Sequence, residues 1–242
     1  MAYNDEKLLP HLLSHYDFAD AIHVIIDSAT TDRSAEVCKR FPNVDVQYFT
    51  FPDGFDDDLK VAKINEVAAD CRDWVINVDT DEFAFCPDLS SLRGFLESTD
   101  SSLVYVNYWQ VYRHRSESNL DLMFRPLLQR RHGDPNQGVC YGFPLFNKPA
   151  IVRRILNPVW HPGNHALKIN PRGDMKVKYS QINGAHWAMA DVDIAIQRRI
   201  LGQQKRQSQN NLDHDMCVQH WNITEADIRR ECEKWLDAPQ LF

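Results

Sequence analysis

The first hundred residues alternate between two hydrophobic periods. Residues 6–16 set Leu8, Leu9, Leu12, Leu13 and Tyr16 on one face at helical spacing, which predicts an amphipathic helix. Residues 22–26 form a short apolar run that stops at Asp27, and the polar stretch Ser28-Ala29-Thr30-Thr31-Asp32 predicts a turn. A helix over 34–40, an alternating strand over 44–51 and a helix over 58–70 follow, the last with Val61, Ile64, Val67 and Ala68 along one face. Trp74-Val75-Ile76-Asn77-Val78 is a β-rich run that stops at Asp79. This order predicts an α/β sheet with helical crossovers. Asp27 and Asp79 both fall at the carboxyl end of a strand, where open α/β sheets bind ligands.

The pattern loosens afterwards. A helix over 90–97 and a strand over 103–112 precede residues 113–180, which are rich in Pro, Gly, Asn, Arg and aromatics, with strand-like pieces at 143–146 and 151–155. Helices are predicted over 191–207 and 224–236, the second capped by Thr224 with Asp227 three residues on. No repeat, low-complexity tract or linker divides the chain, so one domain over 1–242 is expected.

Composition narrows the class. No run of about eighteen apolar residues exists, and the amino end has neither a basic segment nor an apolar core, so neither a transmembrane segment nor a signal peptide is expected. Six scattered cysteines without a C-x-x-C pair predict reduced thiols in a cytoplasmic protein. The net charge of −7 is uneven: 8 basic and 21 acidic residues in the first hundred, 19 and 13 in the rest. An acidic half suits metal ions and a basic half suits phosphates, with ordinary solvated surface as the alternative. The acidic total argues against tight general nucleic-acid binding, although a modified base in DNA or RNA stays open as an acceptor.

Val75-Ile76-Asn77-Val78-Asp79-Thr80-Asp81-Glu82-Phe83 is the most informative stretch. An apolar strand delivers Asp79 to the sheet edge, and Asp81 is expected on the same side of an extended chain. Two hard carboxylates side by side suit Mn²⁺ or Mg²⁺, with water and phosphate oxygens as remaining ligands. Such an ion offsets charge on a departing diphosphate. The competing reading is an acidic turn capping the next element, since short acidic motifs are common.

The pairing of Tyr3-Asn4-Asp5-Glu6-Lys7-Leu8-Leu9-Pro10 with Trp74-Val75-Ile76-Asn77-Val78-Asp79-Thr80-Asp81-Glu82-Phe83 resembles the family-2-type glycosyltransferases. Within them it resembles the branch that reads N-E-x-x-L-L-P near the start and W-V-x-x-x-D-x-D-E-F later. His15, the run Asp27 to Asp32, Phe146-Asn147-Lys148-Pro149-Ala150-Ile151-Val152-Arg153, Gly163-Asn164-His165 and the stretch 182–199 resemble further motifs of that branch in the same order. The resemblance implies a GT-A type fold, with a mixed, mostly parallel central sheet flanked by helices. It implies a nucleotide-sugar half over 1–100, and an acceptor half with C-terminal helices over 101–242. It also implies roles: Asn4 and Asp5 beside the nucleotide base, Asp27 near base or ribose, Lys60 or Lys63 at the diphosphate. Asp79 would touch ribose or metal, Asp81 would be the principal metal ligand and His186 a third ligand, with Arg198 or Arg199 neutralising phosphate.

Other residues carry open alternatives. The turn His161-Pro162-Gly163-Asn164-His165 presents His165 to an acceptor hydroxyl as a catalytic base, or is simply a hydrogen-bonded loop. Asp134, Asp213 and Asp215 are carboxylate candidates for the same task, and equally turn or helix-boundary residues. His214, Cys217 and His220 have zinc-like spacing but lack an obvious fourth ligand. Trp109, Tyr112 and Trp187 are candidates to stack on a sugar, with buried packing the commoner role. The basic stretches 125–131 and 198–206 suit donor phosphates, an anionic acceptor or plain surface. The expected activity is inverting, metal-dependent transfer from a nucleoside-diphosphate sugar to a hydroxyl of a saccharide or related acceptor. A haloacid-dehalogenase-like phosphatase also uses D-x-D after a strand, but Glu82-Phe83 and about seventy preceding residues of α/β pattern count against it. A noncatalytic nucleotide- or sugar-binding module is the other rival.

Overall fold

A computed structural model describes the chain except for residues 89, 122–125, 135–138, 141–142, 145–146, 172–175 and 215–221, and the side chains of 139–140 and 143–144. In chain order the elements are α1 (Leu9–His15), β1 (Ile22–Asp27), α2 (Ser34–Cys38), β2 (Val44–Phe49), α3 (Asp57–Ala69), β3 (Trp74–Ile76), β4 (Glu82–Phe85), α4 (Leu92–Ser98) and β5 (Leu103–Tyr112). Then come α5 (Pro126–Gln129), β6 (His132–Gly133), β7 (Val139–Cys140), β8 (Phe143–Pro144), β9 (Asn147–Arg153), β10 (Val159–Trp160) and β11 (Leu167–Lys168). The chain closes with β12 (Tyr179–Met189), α6 (Val192–Ile196), α7 (Gln209–Asp213) and α8 (Glu225–Lys234).

Local chemistry explains several boundaries. Asp56 caps α3 by accepting the Leu59 N–H, and Asp57 and Asp58 in the first turn complement the helix dipole. Val61, Ile64 and Ala68 form its buried stripe. Thr224 and Asp227 make the expected capping box at α8. The helix predicted over 191–207 is broken instead: α6 ends at Ile196, a π-helical turn covers Gln197–Gln203, and a 3-10 turn covers Gln204–Arg206. The wide turn carries Arg198 to buried carboxylates, and such turns concentrate at functional sites.

The central sheet has the order β3-β9-β5-β12-β4, with β6 added to β5. Only β5 and β12 are parallel; β3–β9, β9–β5, β12–β4 and β5–β6 are antiparallel. The sheet is therefore mixed and mostly antiparallel, which corrects the expectation of a mostly parallel one. Parallel neighbours need long crossovers, and the second half of the chain supplies loops and short strands in place of helices. In the first half, where α2 provides a crossover, β1 and β2 do pair in parallel, but as a separate two-stranded sheet.

Two core clusters lie on opposite faces of these strands. Leu9, Leu13, Ile26, Phe83, Val106 and Trp187 belong to one; Ile25, Ile64, Val75 and Trp160 belong to the other. Cys38, Cys71, Cys86 and Cys232 are free thiols. Among the described residues no helix is long and apolar enough to cross a membrane.

One connection positions the site. The strands β3 and β4 are opposite edges of the central sheet, so residues 77–81 must cross its end. That crossing lays Asp79 against Lys148 of β9 and Asp81 against His186 of β12.

Candidate active site

The crossing segment is turned, not extended. The Glu82 N–H donates to the Asp79 carbonyl at 3.1 Å, and the two carboxylates take different ion partners. Asp79 accepts from Lys60 Nζ at 2.9 Å and from Lys148 Nζ at 3.3 Å. Lys148 also pairs with Glu82, which is 1% exposed and accepts the Asp79 N–H at 3.2 Å. Burial alone would raise the Asp79 carboxyl, but Lys60, Lys148 and the chain's amino group hold it well below the usual carboxylate range. Lys148 is held above its ordinary value: burial opposes its charge, and Glu82 and Asp79 outweigh that.

Asp81 is 3% exposed and faces Arg198 Nη2 at 3.2 Å and His186 Nε2 at 3.4 Å. Burial again opposes ionisation, and Arg198 and His186 overcome it to hold the carboxyl below its usual range. Arg198 further donates to Asp5 Oδ1 and to Thr80 Oγ1, each at 2.6 Å, and Thr80 donates to Asp5 Oδ2 at 2.8 Å. Asp5 is thus the counter-ion of Arg198. It sits against the carboxylate loop, and its own N–H donates to Ser34 Oγ at 3.0 Å.

Gln110 decides how His186 points. The two residues are opposite each other in the β5–β12 register. The Gln110 amide nitrogen donates to the His186 carbonyl at 3.0 Å and to the Val111 carbonyl at 3.3 Å, which leaves its oxygen to accept from His186 Nδ1 at 2.9 Å. With Nδ1 as the donor, Nε2 is the nitrogen presented to Asp81. Protonated, Nε2 donates to the carboxylate; unprotonated, it is a metal donor of the kind whose second nitrogen is fixed by just such a hydrogen bond. Asp81 and His186 together fit two corners of a hard-cation site, while Asp79 is engaged by lysines. Among the described residues no group of three or more His, Cys, Asp or Glu converges as a metal cage.

The remaining implied nucleotide residues are spread along the carboxyl edge of β1. Asn4, at φ 51°, accepts the N–H groups of Thr31 at 2.8 Å and Asp32 at 3.2 Å, and so pins the polar turn. Asp27 is 2% exposed, accepts the Ala29 N–H at 2.8 Å and pairs with Arg206, whose guanidinium lies 3.6 Å over the Tyr3 ring. Lys60 reaches the site, whereas Lys63 pairs with Glu66 at 2.6 Å. Arg198 joins the carboxylates; Arg199 is lowered by burial, with Tyr112 as its foremost electrostatic partner.

The candidates for a base separate. His165 follows the 3-10 turn Pro162–Asn164, which is tied to the carboxylate loop by Asn77 donating to Asn164 at 3.3 Å. Its imidazole is pushed down to about 4, by the surrounding protein first and by Lys148 second, so it is neutral near pH 7. The Asp134 N–H donates to the Gln110 carbonyl at 3.1 Å, which sets Asp134 at the same end of β5 as His186. Asp213 lies on α7 and accepts from Gln209 at 2.7 Å, in a surface pair. His214 is bonded to the Asn210 carbonyl at 2.9 Å. Asp215, Cys217, His220, Arg125 and Phe146 lie outside the described residues. All three aromatic candidates pack internally: Trp187 is fully buried against Phe83, Tyr112 stacks on Trp235 and Trp109 on Phe242.

The sequence assigned no individual role to Lys148, Glu82 or Gln110, and Arg206 entered only as the end of the basic stretch 198–206. Lys148 and Gln110 carried one signal, a long polar side chain beside the apolar residues of a strand. The pairing of Arg206 with Asp27 had none, because the two are 179 residues apart.

No family model matches the chain, and no curated protein matches it in sequence. Among solved structures it is similar to a crystal structure of S. aureus TarS 1-349, with 14% identity over 97% of this chain and 68% of that chain and a TM-score of 0.40. It is also similar to a crystal structure of S. aureus TarS, with 13% identity over 98% of this chain, 42% of that chain and a TM-score of 0.34. Such values describe a loose likeness of outline, so the functional reading rests on the residues of the site.

Proposed function

We propose that the chain is a glycosyltransferase that moves a sugar from a nucleoside-diphosphate sugar to an acceptor hydroxyl with the help of Mn²⁺ or Mg²⁺. The observation that carries this reading is the charge balance at the carboxylate loop. Asp5, Asp79, Asp81 and Glu82 face three fixed cations, Lys60, Lys148 and Arg198. Those cations would meet a diphosphate, yet each is already matched by a carboxylate. A further anion is tolerated there only with added positive charge, and a divalent cation supplies it. Asp81 and the Nε2 of His186 would hold that ion, with phosphate oxygens and water as its other ligands. When bound, the ion stabilises the charge of the leaving diphosphate.

The chain's own residues do the rest. Lys60 and Arg198 neutralise phosphate oxygens, Asp27 and Asn4 border the nucleoside, and His165 or Asp134 takes the acceptor proton. The motif resemblance points the same way. The test is a thermal-shift screen of nucleoside diphosphates and nucleotide sugars, with Mn²⁺ and with chelator. Saturation at a hundredfold excess over Kd adds about 2.7 kcal/mol, or roughly 5–10 °C in a chain of this size. The expected outcome is a metal-dependent rise with one nucleotide, abolished in Asp81→Asn. No rise with any donor from a folded sample, or a rise indifferent to chelator and to Asp81→Asn, would sink the reading.

A further inference from the structure

A buried hydroxyl beside the carboxylate loop makes no bond. Tyr108 of β5 is fully buried, and among the described residues its hydroxyl has no hydrogen-bond partner. An unbonded hydroxyl in the core is costly, so its presence points to a second state in which it is bonded.

Cross-strand register shows where that hydroxyl lies. Tyr108 is opposite Gly184 of β12, and Gly184 is opposite Ala84 of β4. The next row on the same face is Gln110, His186 and Glu82. Gly184 provides the space that the ring takes, since a Cβ there would stand 2.3 Å from Tyr108 Cδ1 and 2.5 Å from Cε1. The ring therefore crosses β12 toward β4 and Glu82. Lys148 of β9 is opposite Val106, one row to the other side, and reaches Glu82 along this same face. Burial raises the Tyr108 hydroxyl well above its ordinary range, with Glu82 as the foremost charge adding to it, so it stays a donor through the neutral range.

Glu82 depends on one shared cation. Its Oε2 accepts the Asp79 N–H at 3.2 Å, and its Oε1 is paired with Lys148, which also faces Asp79 Oδ2 at 3.3 Å. The nearby Tyr16 hydroxyl is already spent, donating to the Glu82 carbonyl at 3.1 Å and accepting the Ala84 N–H at 2.8 Å. An anion that draws Lys148 Nζ away leaves Oε1 buried without a donor. Stripping a buried carboxylate of its partner is strongly unfavourable.

We propose that Tyr108 is a positioning residue for the diphosphate: its hydroxyl takes over Glu82 Oε1 when Lys148 turns to a phosphate oxygen. The inference rests on the diphosphate reading of the site. In the free protein Lys148 holds Glu82 and the Tyr108 hydroxyl is idle. In the bound protein Lys148 holds phosphate and Tyr108 holds Glu82. The exchange keeps the number of donors at Glu82 constant, so Glu82 keeps its bond to the Asp79 N–H and the turn of the carboxylate loop survives the loss of its lysine.

The test places Tyr108→Phe in two backgrounds, the wild-type chain and Lys148→Met, and uses inorganic pyrophosphate with Mg²⁺ as the probe. In the free wild-type chain Tyr108→Phe is expected to leave the urea midpoint level or raised, since the hydroxyl has no bond to lose. In Lys148→Met the hydroxyl already serves Glu82, and the same change is expected to lower the folding equilibrium constant by about tenfold. By calorimetry, Tyr108→Phe is expected to bind pyrophosphate about tenfold more weakly than the wild-type chain. A lowered urea midpoint for Tyr108→Phe in the free wild-type chain, an equal effect in both backgrounds, or undiminished pyrophosphate binding overturns the proposal and leaves the diphosphate reading standing. If Lys148→Met does not fold, the binding measurement decides. No pyrophosphate binding by the wild-type chain overturns the diphosphate reading, and the proposal with it.

Discussion

His11 shows how much a single buried residue sets. It lies on α1 at 1% exposure against Trp187, and among the described residues neither ring nitrogen has a hydrogen-bond partner. Burial, and secondarily the charge of Arg130, push its imidazole down to about 4. The unfolded chain takes up this proton near pH 6.5, while the folded chain refuses it until about 4. Stability from this residue is therefore complete above 6.5 and falls as pH drops toward 4, with a slope of up to about 1.4 kcal/mol per pH unit. His11→Leu should flatten that decline without lowering stability at pH 7.5, because an apolar group of similar size leaves no polar atom unbonded. Urea unfolding at pH 7.5 and pH 5 checks it; an undiminished acid slope in the variant would show that His11 is not its source. Asp79 and Asp81 are held low and act with the same sign in a more acid range: their stabilisation is complete above the ordinary carboxylate pKa and is lost as pH falls below it.

Among the elements, the segment from Gln204 to Asp213 ties Arg206 and α7 to the start of α3. It is latched to the start of α3 by a backbone bridge between Phe55 and Gln207 and by side-chain hydrogen bonds. Asn211, at 0% exposure, accepts the Asp57 N–H at 3.1 Å and donates to the Phe55 carbonyl at 3.0 Å. Ser208 donates to Asp56 at 3.1 Å. Gly54 adopts φ +96° beneath the strap, and a Cβ there would meet the Arg206 carbonyl at 2.5 Å, so the close approach depends on glycine. This strap sets Arg206 onto Asp27 and Tyr3. Asn211→Ala strands the buried Asp57 N–H, while the Phe55 carbonyl keeps the Ser208 N–H at 2.9 Å, and should cost roughly 1–3 kcal/mol. Hydrogen exchange at Asp57 and Ser208 should accelerate while β5 and β12 keep their protection. Uniform acceleration everywhere would mean that the strap is part of the global unfolding unit rather than a separately opening latch.

At the scale of the molecule, alternate residues of the same strands feed both large core clusters. Val24 and Ile26 enter one and Ile25 the other; Val104 enters one and Leu103 the other. Neither face can melt while the other keeps its strands. A single cooperative transition is expected, coincident by far-UV circular dichroism and tryptophan fluorescence. Two separated transitions would divide the chain into independently folding halves.

The residue pattern alone determined most of the first half. Periods of 3.6 and 2 fixed α1, β1, α3, β3 and β5, since each buries a face whose spacing depends only on local geometry. Asp79, three residues beyond the end of β3, marked the loop where the charged groups gather. The sequence also held α8, through its capping box. What it did not determine is who faces whom. Strand direction in the second half follows from how short loops return the chain, and apolar periodicity is the same for parallel and antiparallel neighbours. The mostly antiparallel sheet, the π turn at Arg198 and the pairing of Asp79 with lysines and of Asp81 with His186 and Arg198 were all decided by tertiary structure. The physical reason is common to them: a buried charge takes whichever counter-charge the fold brings within about 4 Å, and that neighbour lies 69 residues away for Lys148 and 193 for the Arg198–Asp5 pair.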